Sequence, residues 1–187
     1  MRTFIAIELP EEIKESLAQL QGRLKDSKAD VKWVEPKNIH LTLKFLGEIN
    51  DEQLREITKI LEQVAEKNVG FQMRISSIGV FPKMNFPRVI WVGLDKGDSE
   101  TKKIATDLEE RIIAVGIPRE KQTFSSHITI GRVKSSFNRD ELVNCLKAID
   151  SLEGKEFVVQ KIILFKSILT PKGPTYEALK VASLKAD

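Results

Sequence analysis

His40-Leu41-Thr42-Leu43-Lys44-Phe45-Leu46-Gly47 and His127-Ile128-Thr129-Ile130-Gly131-Arg132 are the two stretches on which the reading of this chain turns. They contain both of its histidines, and Thr, which fills only 9 of 187 positions, stands two places after each. In a β-strand, side chains alternate between faces. His40 therefore shares a face with Thr42, and His127 with Thr129. Leu41, Leu43, Ile128 and Ile130 point the other way, where helices can cover them. A lone strand histidine beside a threonine is ordinarily a satisfied core or surface residue. Two symmetric instances, with no other histidine in the chain, favour a paired functional site.

Working outward, the same order of elements surrounds both stretches. Four segments carry helical periodicity. Ile13, Leu17, Leu20 and Leu24 form one stripe after Pro10. Leu54, Ile57, Leu61 and Val64 form a second after the cap candidate Asn50. Ile104, Leu108 and Ile112 form a third, with Gly116 as a natural stop. Leu142, Leu146 and Ile149 form a fourth after the cap candidate Asn138. Between them lie strand-like runs at 4–9, 40–46, 71–81, 89–94, 127–133, 157–169 and 176–184. Phe4 precedes His40 by 36 residues and Val89 precedes His127 by 38; Phe71 follows His40 by 31 and Phe157 follows His127 by 30. This agreement predicts an internal duplication with halves at roughly 1–86 and 87–187. The expected fold is α+β: one domain of two pseudo-two-fold lobes, each an antiparallel sheet with two helices, flanking a central cleft. A strand from each end of the chain is expected to complete the opposite lobe.

Composition narrows the function classes. Thirty Lys and Arg stand against 27 Asp and Glu, a net charge of +3. That balance suits a phosphate-bearing ligand but not a protein that coats DNA. The one cysteine, Cys145, excludes an internal disulfide and four-Cys zinc sites. Two histidines without carboxylates in their strands fall short of the three protein ligands a catalytic zinc takes, so no metal is expected. The N-terminus meets an acid at Glu8 too early for a signal peptide, and no apolar run approaches the ~20 residues of a membrane helix. A soluble, cytoplasmic monomer is expected.

The paired His-x-Thr-x motifs in a duplicated α+β chain resemble the 2H phosphoesterase superfamily, and more closely its RNA 2′,3′-cyclic phosphodiesterases, historically called 2′-5′ RNA ligases. Further residues carry the resemblance: Arg2-Thr3-Phe4-Ile5-Ala6-Ile7 at the opening strand, Trp33 to Ile39 leading into the first motif, Gly131-Arg132 trailing the second, and Ser167, Gly173-Pro174 and Tyr176 near the end. The resemblance implies hydrolysis of a 2′,3′-cyclic phosphate to a 2′-phosphate, a reverse 2′-5′ joining of RNA ends, and no cofactor. It implies RNA ends bearing the cyclic phosphate as partners, tRNA fragments among them. It makes His40 the proton donor and His127 the acceptor. The residues themselves leave that choice open, because the lobes are near-equivalent.

Histidine suits both roles, since its ordinary pKa near 6.5 lets one imidazole take a proton while the other gives one. Thr42 and Thr129 are candidates to hydrogen-bond the phosphate oxygens as charge builds there. Lys44 shares His40's parity and is a further substrate-binding candidate, as is Tyr176. Arg132 has the wrong parity from His127 and reaches the groove only if Gly131 bulges or the strand ends there. The segments 83–88, 134–139 and 172–176 mix basic and aromatic residues, which suits phosphate contact and base stacking but equally describes ordinary polar loops. An RNA-binding module without chemistry is the alternative reading. No segment resembles the aromatic-rich signature of the common RNA-recognition sheet.

Overall fold

The computed structural model describes residues 1–152 and 154–187. Nine strands and four α-helices are found among them: β1 (Arg2–Glu8), α1 (Glu11–Lys25), β2 (Val31–Trp33), β3 (His40–Glu48), α2 (Asp51–Lys67), β4 (Phe71–Lys83), β5 (Phe86–Lys96), α3 (Asp98–Ile112), β6 (Ile128–Val133), α4 (Arg139–Lys147), β7 (Glu156–Val159), β8 (Lys161–Thr170) and β9 (Gly173–Ser183). The strands form two antiparallel sheets, one ordered β3-β1-β8-β9 and the other β2-β6-β5-β4-β7. The α+β class and the two-sheet architecture follow the sequence expectation.

The helices form where periodicity and caps place them. Ile13, Leu17, Leu20 and Leu24 are the buried stripe of α1. α2 opens on a capping box: the Gln53 N–H donates to the Asn50 side chain at 2.8 Å, and the Asn50 N–H donates back to Gln53 at 3.1 Å. α3 ends through a short 3₁₀ turn at Gly116, whose φ of 82° is a left-handed conformation that glycine adopts without strain. Asn138 precedes α4 but does not cap it. Its backbone is left-handed, and its side-chain amide donates instead to the Lys28 carbonyl at 3.3 Å.

The last strand of each half lies in the sheet of the other. β4 pairs with β5, and β8 pairs with β1. The run at 157–169 breaks at Gln160: β7 belongs to one sheet and β8 to the other. β2, which has no strand signal of its own, extends the second sheet beside β6. α2 lies on β8 and β9, α4 lies on β5 and α1, and α3 touches strands of both sheets, β3 and β5. One continuous apolar core joins the lobes, from Ile5, Ile7 and Leu41 to Ile90, Ile128 and Ile130. β1 reads as an unbroken apolar run because Phe4, Ile5, Ala6 and Ile7 are buried on both faces.

Candidate active site

β3 and β6, the two histidine-bearing segments, approach each other where the sheets meet. Their apolar alternates are buried: Leu41, Ile128 and Ile130 are 0% exposed. Thr42, Thr129 and both histidines are half-buried on the opposite faces.

The two imidazoles are held alike. His40 Nδ1 lies 2.7 Å from the Asn38 carbonyl, and His127 Nδ1 lies 2.8 Å from the Ser125 carbonyl. A carbonyl can only accept, so each Nδ1 must carry a proton and donate it. In the neutral ring, Nε2 is then the atom with a free lone pair. His40 Nε2 reaches Thr42 Oγ1 at 2.9 Å. Each ring also rests in an aromatic setting. Phe4 stacks on His40 with centroids 4.8 Å apart, and Tyr176 meets it edge-on at 5.3 Å. Phe81 meets His127 edge-on at 5.4 Å, and Trp91 lies 6.4 Å away. Trp91 stacks on Phe81 at 5.0 Å and lies across Gly79 and Gly93, where any Cβ would collide with its ring or with Ser77.

Burial holds the His40 imidazole below the ordinary histidine value; the Asn38 carbonyl opposes this shift and the charge of Lys14 adds to it. The Tyr176 phenol is pushed up by burial, against the pull of Arg132 and Arg2.

A bulge follows each motif at the same place. In β3, Thr42 pairs with Ala6 and Lys44 with Ile5, leaving Leu43 as an extra residue; in β6, Thr129 pairs with Trp91 and Gly131 with Ile90, leaving Ile130 extra. An extra residue reverses the alternation beyond it. Arg132 is thereby turned to the groove face, on an exposed position opposite Val89. The bulge falls one residue before Gly131.

The same device changes the setting of Lys44, which parity alone places beside His40. Beyond the bulge it faces the helices, where its side chain is 3% exposed. Its ammonium lies 2.7 Å from Glu109 of α3 and 3.7 Å from Glu120, and it donates to the Pro118 carbonyl at 3.3 Å. Glu109 also accepts the Glu120 backbone N–H at 2.7 Å. Lys44 thus clasps the segment leading to His127, and Phe45 takes the groove side instead, 58% exposed.

A cavity of about 490 Å³ opens here, lined by Thr42, Lys44, Phe81, Glu109, Arg119 and His127 among others, so Lys44 and its carboxylate partner border the same space as the second histidine. His40 stands outside its walls, joined to it through Thr42. Among the described residues no cluster of three His, Cys, Asp or Glu side chains is placed to hold a metal ion. Nor is any helix among them long and apolar enough to cross a membrane.

Sequence reasoning did not single out Asn38, Ser125, Phe81 or Trp91 for the site, and quoted Phe4 only as part of the opening strand. Asn38 and Ser125 act through carbonyls, which every residue has. The aromatics reach the histidines through strand pairing. Their only advance signal is position: Phe4 and Trp91 each lie 36 residues before a histidine.

Comparison with known proteins gives the family. The family described as LigT-like phosphoesterase matches twice, over residues 7–91 and 92–176. The RNA 2′,3′-cyclic phosphodiesterase of Methanocaldococcus jannaschii is 36% identical over 96% of this chain and 99% of its own length. The crystal structure of TT0787 from Thermus thermophilus superposes with a TM-score of 0.84 at 31% identity, covering 100% of both chains. That of Escherichia coli LigT complexed with 3′-AMP shares the fold, with a TM-score of 0.81 at 24% identity over 98% of this chain and 97% of that one. With both halves matched and the similarity running nearly end to end, this chain belongs to the LigT-like phosphoesterase family.

Proposed function

We propose that this protein hydrolyses the 2′,3′-cyclic phosphate at RNA ends to a 2′-phosphomonoester, with His40 as the acid and His127 as the base. The observation that carries the reading is the matched tethering of the two imidazoles, each donating from Nδ1 to the carbonyl two residues upstream. Two rings locked in one tautomer present Nε2 for proton transfer. The names of relatives such as the M. jannaschii protein support the substrate class.

The chemistry is a displacement at phosphorus. Water attacks as His127 Nε2 takes its proton. The P–O3′ bond breaks, and O3′ receives the proton of the His40 imidazolium. Thr42 and Thr129 hydroxyls donate to the non-bridging oxygens, and Arg132 supplies positive charge as the phosphorane forms. Burial disfavours the His40 imidazolium in the free enzyme, and the monoanionic cyclic phosphate beside it supplies the charge that restores it. With the 5′-hydroxyl of a second RNA end in place of water, the same displacement forms a P–O5′ bond as P–O3′ breaks, His127 taking the hydroxyl proton and His40 giving one to O3′, and so joins the ends through a 2′-5′ bond.

The test is incubation in excess EDTA with a short RNA ending in a 2′,3′-cyclic phosphate, followed by identification of the product. A 2′-phosphate, lost in His40→Ala and in His127→Ala, is expected. Binding without turnover would indicate a non-catalytic module, and turnover that survives His127→Ala would remove the paired-histidine mechanism.

A further inference from the structure

Beyond the groove, the tip of the β4–β5 hairpin and the loop before α4 are bound together by charge and aromatic surface. The Arg139 guanidinium lies over the Phe86 ring at 4.2 Å, and Arg88 lies 5.4 Å from the same ring. Phe137, two residues before Arg139, is 63% exposed, far more than a residue of its size needs for packing. Lys83, Arg88 and Lys134 are exposed, and among the described residues none of these, nor Arg139, is in an ion pair. Asp140, the neighbouring carboxylate on α4, pairs with no described cation either. Lys83, Arg88, Lys134 and Arg139 outnumber that one carboxylate, so the patch is net positive.

Its position matters as much as its composition. β5 runs from Phe86 at the hairpin to Trp91 beside His127, and Val89 pairs with the groove-facing Arg132. Five residues of strand span about 17 Å. Arg132 on β6, Arg88 and Phe86 on β5, and Phe137 and Arg139 before and at the start of α4 thus lie in order from the groove toward the hairpin tip.

Resting on the cyclic-phosphate reading above, we propose that this hairpin and loop form a docking platform for the single-stranded RNA upstream of the reacting 3′ end. Unpaired cations meet successive phosphates. The Phe137 face and the outer plane of the Arg139 guanidinium offer stacking surfaces for bases, which single-strand binders use without sequence preference.

The experiment compares two substrates and one ligand. The substrates are 2′,3′-cyclic AMP and an RNA of about ten nucleotides with a cyclic phosphate end. The ligand is the same RNA with a plain 3′-hydroxyl, its binding followed by fluorescence anisotropy. Phe137→Ala, and separately Arg88→Gln with Arg139→Gln, should weaken RNA binding roughly 5- to 100-fold, the range for losing a stacked base. The arginine pair should also flatten the logarithmic salt dependence by about 0.7 per cation removed. Turnover of the mononucleotide should stay at the wild-type level, which also shows that the variants fold. RNA affinity within twofold of wild type in both variants would overturn the platform. So would equal losses on RNA and mononucleotide, or failure of the wild type to bind the 3′-hydroxyl RNA. If the wild type binds that RNA through these residues yet never opens a cyclic phosphate, the platform stands and the proposed reaction fails.

Discussion

Replacing Lys44 by Met should cost this fold far more than a lysine usually does. The ammonium is the sole close cation of Glu109 among the described residues, at 2.7 Å, with side-chain exposures of 3% and 19%. Removing one partner of a buried pair leaves an uncompensated charge and costs about 3–5 kcal/mol; the residual exposure of Glu109 argues for about 3. Methionine keeps the methylene packing, so a cavity adds little. For a domain of this size each kcal/mol moves the midpoint by about 2–4 °C, so Tm should fall by roughly 6–12 °C in calorimetry. Lys44→Met with Glu109→Gln removes both charges and leaves an acceptor for the Glu120 N–H, so the double variant should recover more than half of the loss. A single-variant shift below about 2 °C, or strictly additive losses in the double, would refute the clasp.

Two further outcomes follow from the site. In the free protein His40 should titrate below the ordinary value of about 6.5, read from its imidazole proton shifts, and move upward when phosphate binds. Because the unfolded chain then binds the proton more readily than the folded one, stability rises with pH through this window and is lost as pH falls below about 6.5; a His40 titration at or above that value in the free protein would count against the burial argument. Gly79→Ala would drive a Cβ into the Trp91 ring, so the indole must shift off Phe81 and away from His127. Overpacking of that kind costs about 1–3 kcal/mol, and turnover should drop with a change in tryptophan fluorescence; unaltered fluorescence and activity would mean that the ring is not held by the sheet.

What the sequence disclosed was local. The stripe of α1, the Asn50 cap of α2 and the His-x-Thr alternation each depend on neighbours within a few residues, and each is seen in the structure. What it left undisclosed involves register or sheet membership. Lys44 has the right parity on an unbroken strand, but the extra Leu43 appears only when β3 is laid against β1. The equivalent bulge at Ile130 delivers Arg132, and nothing in Ile130-Gly131-Arg132 alone places it one residue ahead of the glycine. β2 forms because β6 offers an edge to pair with, and the break at Gln160 exists because β7 and β8 answer to different partners.

The exchange of strands between sheets has a consequence for how the chain must be made. Phe4 pairs with Phe165, so β1 meets its central neighbour only after the intervening helices and strands have been made. Until then its Phe4-Ile5-Ala6-Ile7 run has β3 on one edge and nothing on the other. An apolar strand with an open edge invites wrong pairing. Folding dominated by such distant contacts is slow. The N-terminal half is thus not a domain in waiting, and a stall in translation before β8 would leave an apolar strand edge uncovered.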